Sequence, residues 1–209
     1  MSMDQIRWLS VLRVCGVAPD VAARWAPTFA AECQPESFSA GAEELPEFLG
    51  QILHESERLQ HTVESLTYST AERIRAVWPS RFPTVADAAP YVRNPVALGD
   101  RVYGGRMGNR APGDGHRYRG RGLIMCTGRD GYAALGALLG VDLVAAPELL
   151  EQSAMALRGA VAWWEERIPD SILRDADIVA ETRRVNGGTI GLADRQALTM
   201  AARRALGCG

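Results

Sequence analysis

The sequence predicts a mainly α-helical fold. Apolar residues recur at three- and four-residue steps through most of the chain, and prolines and small polar residues stand where helices would begin. Only the segment from Leu123 to Cys126 has the character of a strand, so we expect one small β element. With 209 residues, 47% of them hydrophobic, the chain can bury a sizeable core. We expect a single domain over 1–209, with N-terminal helices at about 1–42 packed on a core of about 43–206.

Three long helices are predicted near the N-terminus, over 3–15, 19–32 and 43–59. Pro19 suits the first turn of the second helix. The third helix is strongly amphipathic, because apolar residues recur at helical spacing from Leu45 to Leu53. Three shorter helices are then predicted from their capping residues. The first is capped by Ser69 or Thr70, the second by the capping box of Thr84 and Asp87, and the third by Asn94 before Pro95.

A glycine-rich loop is predicted from Tyr103 to Gly122, YGGRMGNRAPGDGHRYRGRG, with seven glycines and five arginines. Glycines let the backbone approach a ligand and arginines supply planar donors, so we expect an ordered loop. Its arginines are Arg106, Arg110, Arg117, Arg119 and Arg121. Four helices are predicted after it: one capped by Thr127 and ending at about Leu139, a long one from Pro147 to Arg167, one capped by Asp175 and ending at Asn186-Gly187-Gly188, and one from Leu192 to Leu206.

The composition argues against several classes of function. The formal net charge of −2 gives no overall attraction to nucleic acid or to an anionic membrane, although all 23 basic residues are arginine. No apolar run approaches the roughly 20 residues of a membrane span. The N-terminus has an early acidic residue and arginines within its apolar stretch, so it is a poor signal peptide. The cysteines form no CxxC pair, and we expect buried or free thiols at Cys15, Cys33, Cys126 and Cys208.

Two glutamates, Glu55 and Glu64, are the candidate catalytic pair. Their separation of nine positions (64 − 55) would hold them roughly 13 Å apart on nearly opposite faces of a regular helix. If the helix stops near Leu59 and the chain turns, Glu64 can face Glu55 across a groove. Carboxyl groups about 6.5–9.5 Å apart leave room for one water molecule, as inverting glycosidases require.

Two other chemistries match fewer residues. His54-Glu55 could begin a zinc-binding HExxH helix, but Arg58 stands where the second histidine would be. A zinc amidase would have to use the three histidines of the chain, His54, His61 and His116. The RYRGRG run could bind nucleic acid, but the chain has little basic excess and no interleaved aromatic repeat.

Three blocks in order are more specific than the carboxylate pair alone: HES…VESLTYS, YGGRMGN…GDGHRYRGRGLIMCTGRDGY and RVNGGTIGLADR. Together they resemble the family 19 glycoside hydrolases, chitinase-like enzymes that include many bacteriophage endolysins. The resemblance covers about Leu45 to Arg195. It implies a lysozyme-like fold of two helical lobes flanking a cleft, with the small β element beside the cleft, and glycoside hydrolysis without a cofactor or metal.

The resemblance also implies a catalytic group and a substrate-binding group. The catalytic group comprises the general acid Glu55, the general base Glu64 and Thr127, whose hydroxyl would hold the attacking water. The substrate-binding group comprises His54, Tyr103, Asn186 and Arg195. In addition, Arg195 is implied to support the carboxylates.

Departures from the family pattern concern the sugar-binding contacts. Where many members read HESGG, this chain has Glu57 and Arg58 after Ser56. Met125 replaces a usual glutamine and Gly131 a common asparagine. These changes leave the carboxylate pair intact, but they remove contacts that chitin-binding members use. Together with the loop arginines, they favour peptidoglycan, whose peptides carry carboxylates, as the substrate.

We therefore predict an endolysin that hydrolyses the β-1,4 bonds of peptidoglycan glycan strands by an inverting acid/base mechanism. The alternatives are a chitinase acting on GlcNAc polymers and a catalytically inactive glycan-binding module. We expect a monomer that neither binds nucleic acid nor inserts into a membrane. Made in the host cytoplasm without a signal peptide, it would reach the cell wall in the periplasm with the help of a holin-like partner that permeabilises the membrane.

Overall fold

The structure is a computed structural model, and it describes residues 2–174 and 177–208. Over these residues the chain forms twelve α-helices joined by turns and short 3-10 segments, so the predicted mainly α fold is confirmed. The helices are α1 (Met3–Val14), α2 (Pro19–Glu32), α3 (Leu45–Glu55), α4 (Ala71–Val77), α5 (Val85–Ala88), α6 (Pro95–Tyr103), α7 (Asp114–Arg117), α8 (Arg129–Leu139), α9 (Ser153–Arg167), α10 (Asp170–Arg174), α11 (Ile178–Asn186) and α12 (Leu192–Leu206). None of the described helices is long and apolar enough to cross a lipid bilayer.

The chain divides into two compact units. Unit 1 comprises Met1–Thr62, Gly122–Met125 and Leu149–Gly209, and unit 2 comprises Val63–Arg121 and Cys126–Glu148. Each unit has a hydrophobic core of its own.

Helix α3 is the buried centre of unit 1, and every residue from Leu45 to Leu53 is buried. Helix α12 packs along it, while α1 packs against α2 and α12, and α2 packs against α9. Gly50 permits the close approach of α3 and α12, because a Cβ there would lie 2.0 Å from Thr199 Oγ1 and 3.1 Å from the Arg195 carbonyl oxygen. This packing places the first turns of α12 against the end of α3 that carries Glu55.

Unit 2 has a smaller core, and helix α6 packs against the short helix α7. Aromatic pairs fix its loops, including Tyr118 and Tyr132 with ring centroids 5.4 Å apart. Helix α7 lies inside the predicted glycine-rich loop, which is therefore partly helical. Asn109 holds the loop from within: its Nδ2 donates to the Tyr103 carbonyl at 3.0 Å, and its Oδ1 accepts from the Arg129 N–H at 2.9 Å.

Capping chemistry explains why several helix starts are predictable. The side chains of Thr70, Thr84 and Asn94 each accept a backbone N–H from the first turn of α4, α5 and α6. Helix α11 is capped by Asp177, whereas the predicted cap Asp175 lies outside the described residues.

Two of the predicted helices differ in the structure. Helix α3 ends at Glu55 rather than near 59, because the next residues turn into left-handed conformations. The predicted helix from Pro147 is a 3-10 segment, Pro147–Glu151, followed by α9, because Gln152 has an extended backbone with ψ 133°.

The predictions for the segment around residues 121–128 are also corrected. The small β element is not formed: Arg121 makes isolated bridges to Val63 and Cys126, and no sheet is present among the described residues. The segment between Arg121 and Cys126 is a tight turn, because Gly122 and Met125 have φ values of +76° and +51°. Helix α8 begins after Gly128, whose φ is +81°, so Thr127 is not its cap.

Candidate active site

Glu55 lies at the end of α3 and is the carboxylate partner of Arg195 on α12. The Arg195 side chain is 1% exposed and the Glu55 side chain 25% exposed, and Nη2 of the arginine donates to Glu55 Oε1. Arg195 is held on two further sides, by Gln51 Oε1 at 2.7 Å and by the Ile190 carbonyl at 3.2 Å. The orientation of Glu55 is therefore fixed by a buried cation that is itself immobilised.

His54, next to Glu55, is held by a second set of contacts. Its Nδ1 lies 2.7 Å from Asp194 Oδ2, and Arg58 Nη2 donates to Asp194 Oδ1 at 2.7 Å. Partial burial raises the pKa of Asp194, but the hydrogen bonds from His54 and Arg58 together outweigh it, so the pKa lies below its ordinary value. Asp194 is therefore a stable carboxylate that orients the imidazole.

Glu64 is held by backbone and side-chain donors within unit 2. Its backbone N–H donates to the Gly120 carbonyl at 2.9 Å, and the Gly120 N–H donates to Glu64 Oε2 at 3.2 Å. The Tyr103 hydroxyl donates to Glu64 Oε1 at 2.6 Å. Burial, and then the bond to Glu64, raise the pKa of Tyr103, so the phenol keeps its proton and stays a donor.

Thr127 and Glu64 meet at Gly120. A Cβ on Gly120 would lie 3.4 Å from both Glu64 Oε2 and Thr127 Oγ1. Only glycine leaves this space open, so a carboxylate oxygen and a hydroxyl oxygen border the same small volume. The Glu64 carboxylate and the Thr127 hydroxyl therefore lie on the same side of Gly120.

Asn186, the last residue of α11, closes the turn that leads to α12. Its Nδ2 donates to the Ile190 carbonyl at 3.0 Å, and its Oδ1 accepts from the Gly188 N–H at 2.8 Å. The Ile190 carbonyl also accepts from Arg195 Nε. Asn186 and Arg195 thus share one carbonyl, which ties the NGG turn to the arginine beside Glu55.

The structure groups the predicted site residues by unit. His54, Glu55, Asn186 and Arg195 are linked in unit 1, while Glu64, Tyr103 and Thr127 surround Gly120 in unit 2. Four further residues support this group without being predicted from the sequence: Gln51, Arg58, Asp194 and Gly120. The sequence carries one signal for Asp194, which is its position directly before Arg195. His54 likewise stands directly before Glu55, and in the structure Asp194 contacts His54 while Arg195 contacts Glu55. Within the described ranges, no group of three or more His, Cys, Asp or Glu side chains could hold a metal ion.

No protein-family model matches the chain. A glycosyl hydrolase family 19 domain-containing protein of Haemophilus influenzae is 34% identical over 150 residues, which cover 71% of this chain and 72% of that protein. This chain belongs to glycoside hydrolase family 19. It is therefore a glycoside hydrolase.

Solved structures of chitinases have the same fold. Chitinase C of Streptomyces griseus HUT6037 superimposes with a TM-score of 0.60 at 18% identity, covering 98% of this chain and 93% of that one. A bacterial family 19 chitinase superimposes with a TM-score of 0.56 at 17% identity, covering 99% and 86% of the two chains. The whole described chain, including α1 and α2, therefore follows a family 19 fold.

Proposed function

We propose that this family 19 hydrolase is an endolysin that cleaves the β-1,4 glycosidic bonds of bacterial peptidoglycan with inversion at the anomeric carbon. The environment of the Glu64 carboxylate is the observation that supports this mechanism. Its carboxylate accepts from Tyr103 and Gly120 and borders the same volume as the Thr127 hydroxyl. This arrangement suits a base that takes a proton from a water molecule held by threonine.

Glu55 is the general acid in this proposal. It gives its proton to the glycosidic oxygen as the bond to the anomeric carbon breaks, while water attacks that carbon from the opposite face and loses a proton to Glu64. Arg195 and Gln51 fix the position of Glu55, and Asp194 fixes His54 beside it. In this arrangement His54, Tyr103 and Asn186 contact the sugar.

Unneutralised arginines support peptidoglycan as the substrate. Among the described residues, no carboxylate lies within ion-pair distance of Arg106, Arg110 or Arg117, all of which are exposed. Their field attracts the carboxylates of stem peptides over a Debye length of about 8 Å at physiological salt, whereas chitin is uncharged. The replacements at Met125 and Gly131 point the same way.

Hydrolysis of GlcNAc polymers is the second candidate, because the solved structures of similar fold are named chitinases. Under the endolysin proposal the protein acts as a monomer on the periplasmic cell wall after a holin-like partner has permeabilised the inner membrane.

Turbidity of outer-membrane-permeabilised Gram-negative cells tests the proposed function. The protein should lyse these cells, lysis should weaken as salt rises, and mass spectrometry of the products should identify muropeptides. Colloidal chitin should release little soluble sugar under the same conditions. Release of chitooligosaccharides without lysis would favour the second candidate.

A further inference from the structure

Unit 2 contains a pocket of about 630 Å³ between the glycine-rich loop and residues 145–148. This volume lies within the range of ligand sites, which is about 300–1,000 Å³. Its lining includes charged or titratable side chains of both signs: Asp114, His116, Arg117, Arg119, Arg121 and Glu148.

Arg117 is held in place by neutral groups. Its Nη2 donates to the Val144 carbonyl at 3.3 Å and to the Ala145 carbonyl at 2.9 Å, and its guanidinium lies 5.6 Å from the centre of the Tyr118 ring. None of the described carboxylates forms an ion pair with it. The arginine is therefore fixed in position but not neutralised, which suits it to binding an anion.

The other two arginines are also braced by oxygen acceptors. Arg119 Nη1 donates to the His116 carbonyl at 3.2 Å, and Arg121 Nη1 donates to the Tyr132 hydroxyl at 3.0 Å. Burial, and then the charge of Arg119, lower the pKa of His116, so its imidazole is neutral at pH 7. The positive charge of the pocket therefore comes from arginine.

Acidic groups lie in the same pocket. Asp114 Oδ2 accepts backbone N–H groups from Arg110 and Ala111 at 3.0 and 2.9 Å, and Glu148 is exposed, with no ion-pair partner among the described residues. The pocket thus offers a fixed cation and a free carboxylate together. A ligand with both a carboxylate and an amine matches this pair with opposite charges, whereas an uncharged glycan can offer only hydroxyl and amide groups.

The pocket adjoins the segment that holds Glu64. Arg119 and Arg121 are the two neighbours of Gly120, which bonds Glu64 through both its N–H and its carbonyl. An extended peptide spans up to about 3.3–3.6 Å per residue, so a short peptide on a sugar near Glu64 can reach the pocket. We infer that this pocket binds the peptide stem of the peptidoglycan strand, with Arg117 on a stem carboxylate and Glu148 on a stem amine. The inference rests on the proposed function and names the part of the substrate that this surface recognises.

Matched substrates test this pocket. The first substrate is glycan strands that carry stem peptides with a free amine, and the second is the same strands after an amidase has removed the peptides. The measured quantity is the ratio of kcat/KM on the first substrate to kcat/KM on the second. Wild type should have a ratio well above one.

Arg117→Gln and Glu148→Gln should each lower the ratio by roughly tenfold, the scale of a hydrogen bond to a charged group. Arg110→Gln removes an exposed arginine of the same loop outside the pocket. It weakens only the long-range, salt-screened attraction, so it should lower the ratio by no more than about twofold.

The possible outcomes distinguish failure of the pocket inference from failure of the proposed function. If both substrates are cleaved and the wild-type ratio is near one, the pocket does not bind the stem peptide, and the endolysin proposal is unaffected. If Arg110→Gln and Arg117→Gln lower the ratio equally, the inference is also contradicted, because the effect then comes from the general positive charge of the loop. If Arg117→Gln fails to fold, Glu148→Gln decides the question alone. Cleavage of neither substrate contradicts the endolysin proposal and the pocket with it.

Discussion

Arg195 on α12, whose side chain is 1% exposed, donates a hydrogen bond to Glu55 on α3. The two residues are 140 positions apart in the chain and meet because Gly50 lets the two helices approach closely. A buried cation needs its partners, since losing one leaves an uncompensated charge or an unsatisfied acceptor in the interior.

Replacing Arg195 should therefore cost both stability and activity. We expect Arg195→Met to lower the free energy of unfolding by about 2–3 kcal/mol, less than for a fully buried pair because Glu55 is a quarter exposed. The same change in a Glu55→Gln background should cost at least about 1 kcal/mol less, because the two residues are coupled. Urea unfolding of the four proteins measures this. Arg183→Met, an exposed arginine on α11, should change stability by no more than about 0.5 kcal/mol. Strict additivity of the Arg195 and Glu55 changes would contradict the ion pair.

The Tyr103 hydroxyl should matter for turnover more than for folding. Tyr103→Phe removes a donor to the Glu64 carboxylate, and a hydrogen bond to a charged group is worth about 1.5–3 kcal/mol. We expect kcat to fall at least about tenfold while circular dichroism is unchanged. Tyr68→Phe is the matched control, because Tyr68 is a neighbour of Glu64 that donates no hydrogen bond to it. Equal effects of the two changes on kcat would show that the Tyr103–Glu64 bond has no special role.

The turn after Glu55 contains three consecutive left-handed residues that are not glycine. Glu57, Arg58 and Leu59 have φ values of +48°, +58° and +66°. Arg58→Gly should be more stable than Arg58→Ala by about 1 kcal/mol, because only the alanine retains the left-handed strain. Both variants lose the contact to Asp194 and should lose a similar share of kcat/KM through His54. Equal stability of the two variants would mean that this turn is not strained.

Local chemistry explains which parts of the fold the sequence predicts. Helices α4, α5 and α6 begin after residues whose side chains cap the helix, and such caps are visible in the sequence. The end of α3 was predicted too late because its left-handed turn lacks the glycine that normally marks such a conformation. The β element was predicted wrongly because Leu123–Cys126 has the composition of a strand, whereas Met125 adopts positive φ.

The candidate site was predictable only in part. The carboxylates, Thr127 and Arg195 follow from motifs that resemble family 19, and their catalytic roles stay predictions. The contact between Arg58 and Asp194 joins residues 136 positions apart, so only the packing of α3 and α12 reveals it. The role of Gly120 depends on the oxygens around it rather than on its place in the GRG motif.

Glu181 should make the protein less stable as pH rises. It is 0% exposed, neither carboxyl oxygen has a hydrogen-bond partner among the described residues, and burial followed by the charge of Glu47 raises its pKa to about 8. Arg203 and Gln51 act in the opposite direction, but the Gln51 amide donates to Thr182. Because the folded-state pKa is higher than the unfolded one, the unfolded state releases its proton first. Stability is therefore lost between about pH 4.5 and about pH 8.

Glu181→Gln removes this titration, so the variant should gain stability relative to wild type as pH rises. The gain between pH 5 and pH 8 should be on the order of 3 kcal/mol, measured by urea unfolding at each pH. Glu44, whose pKa is raised to about 7 mainly by burial, gives a trend of the same sign in both proteins and cancels in the difference. A difference that does not change with pH would mean that Glu181 ionises in the folded state as easily as in water.

The rate of cleavage of purified sacculi relative to chitin oligomers, at equal low salt, tests the central claim most directly. The proposed endolysin should cleave sacculi faster and release muropeptides whose new reducing ends have the inverted anomeric configuration in NMR spectra. Glu55→Gln and Glu64→Gln should each lower that rate by roughly 10²-fold or more with the fold intact, the scale of general acid–base catalysis. Faster cleavage of chitin oligomers than of sacculi would contradict the claim and identify the protein as a chitinase.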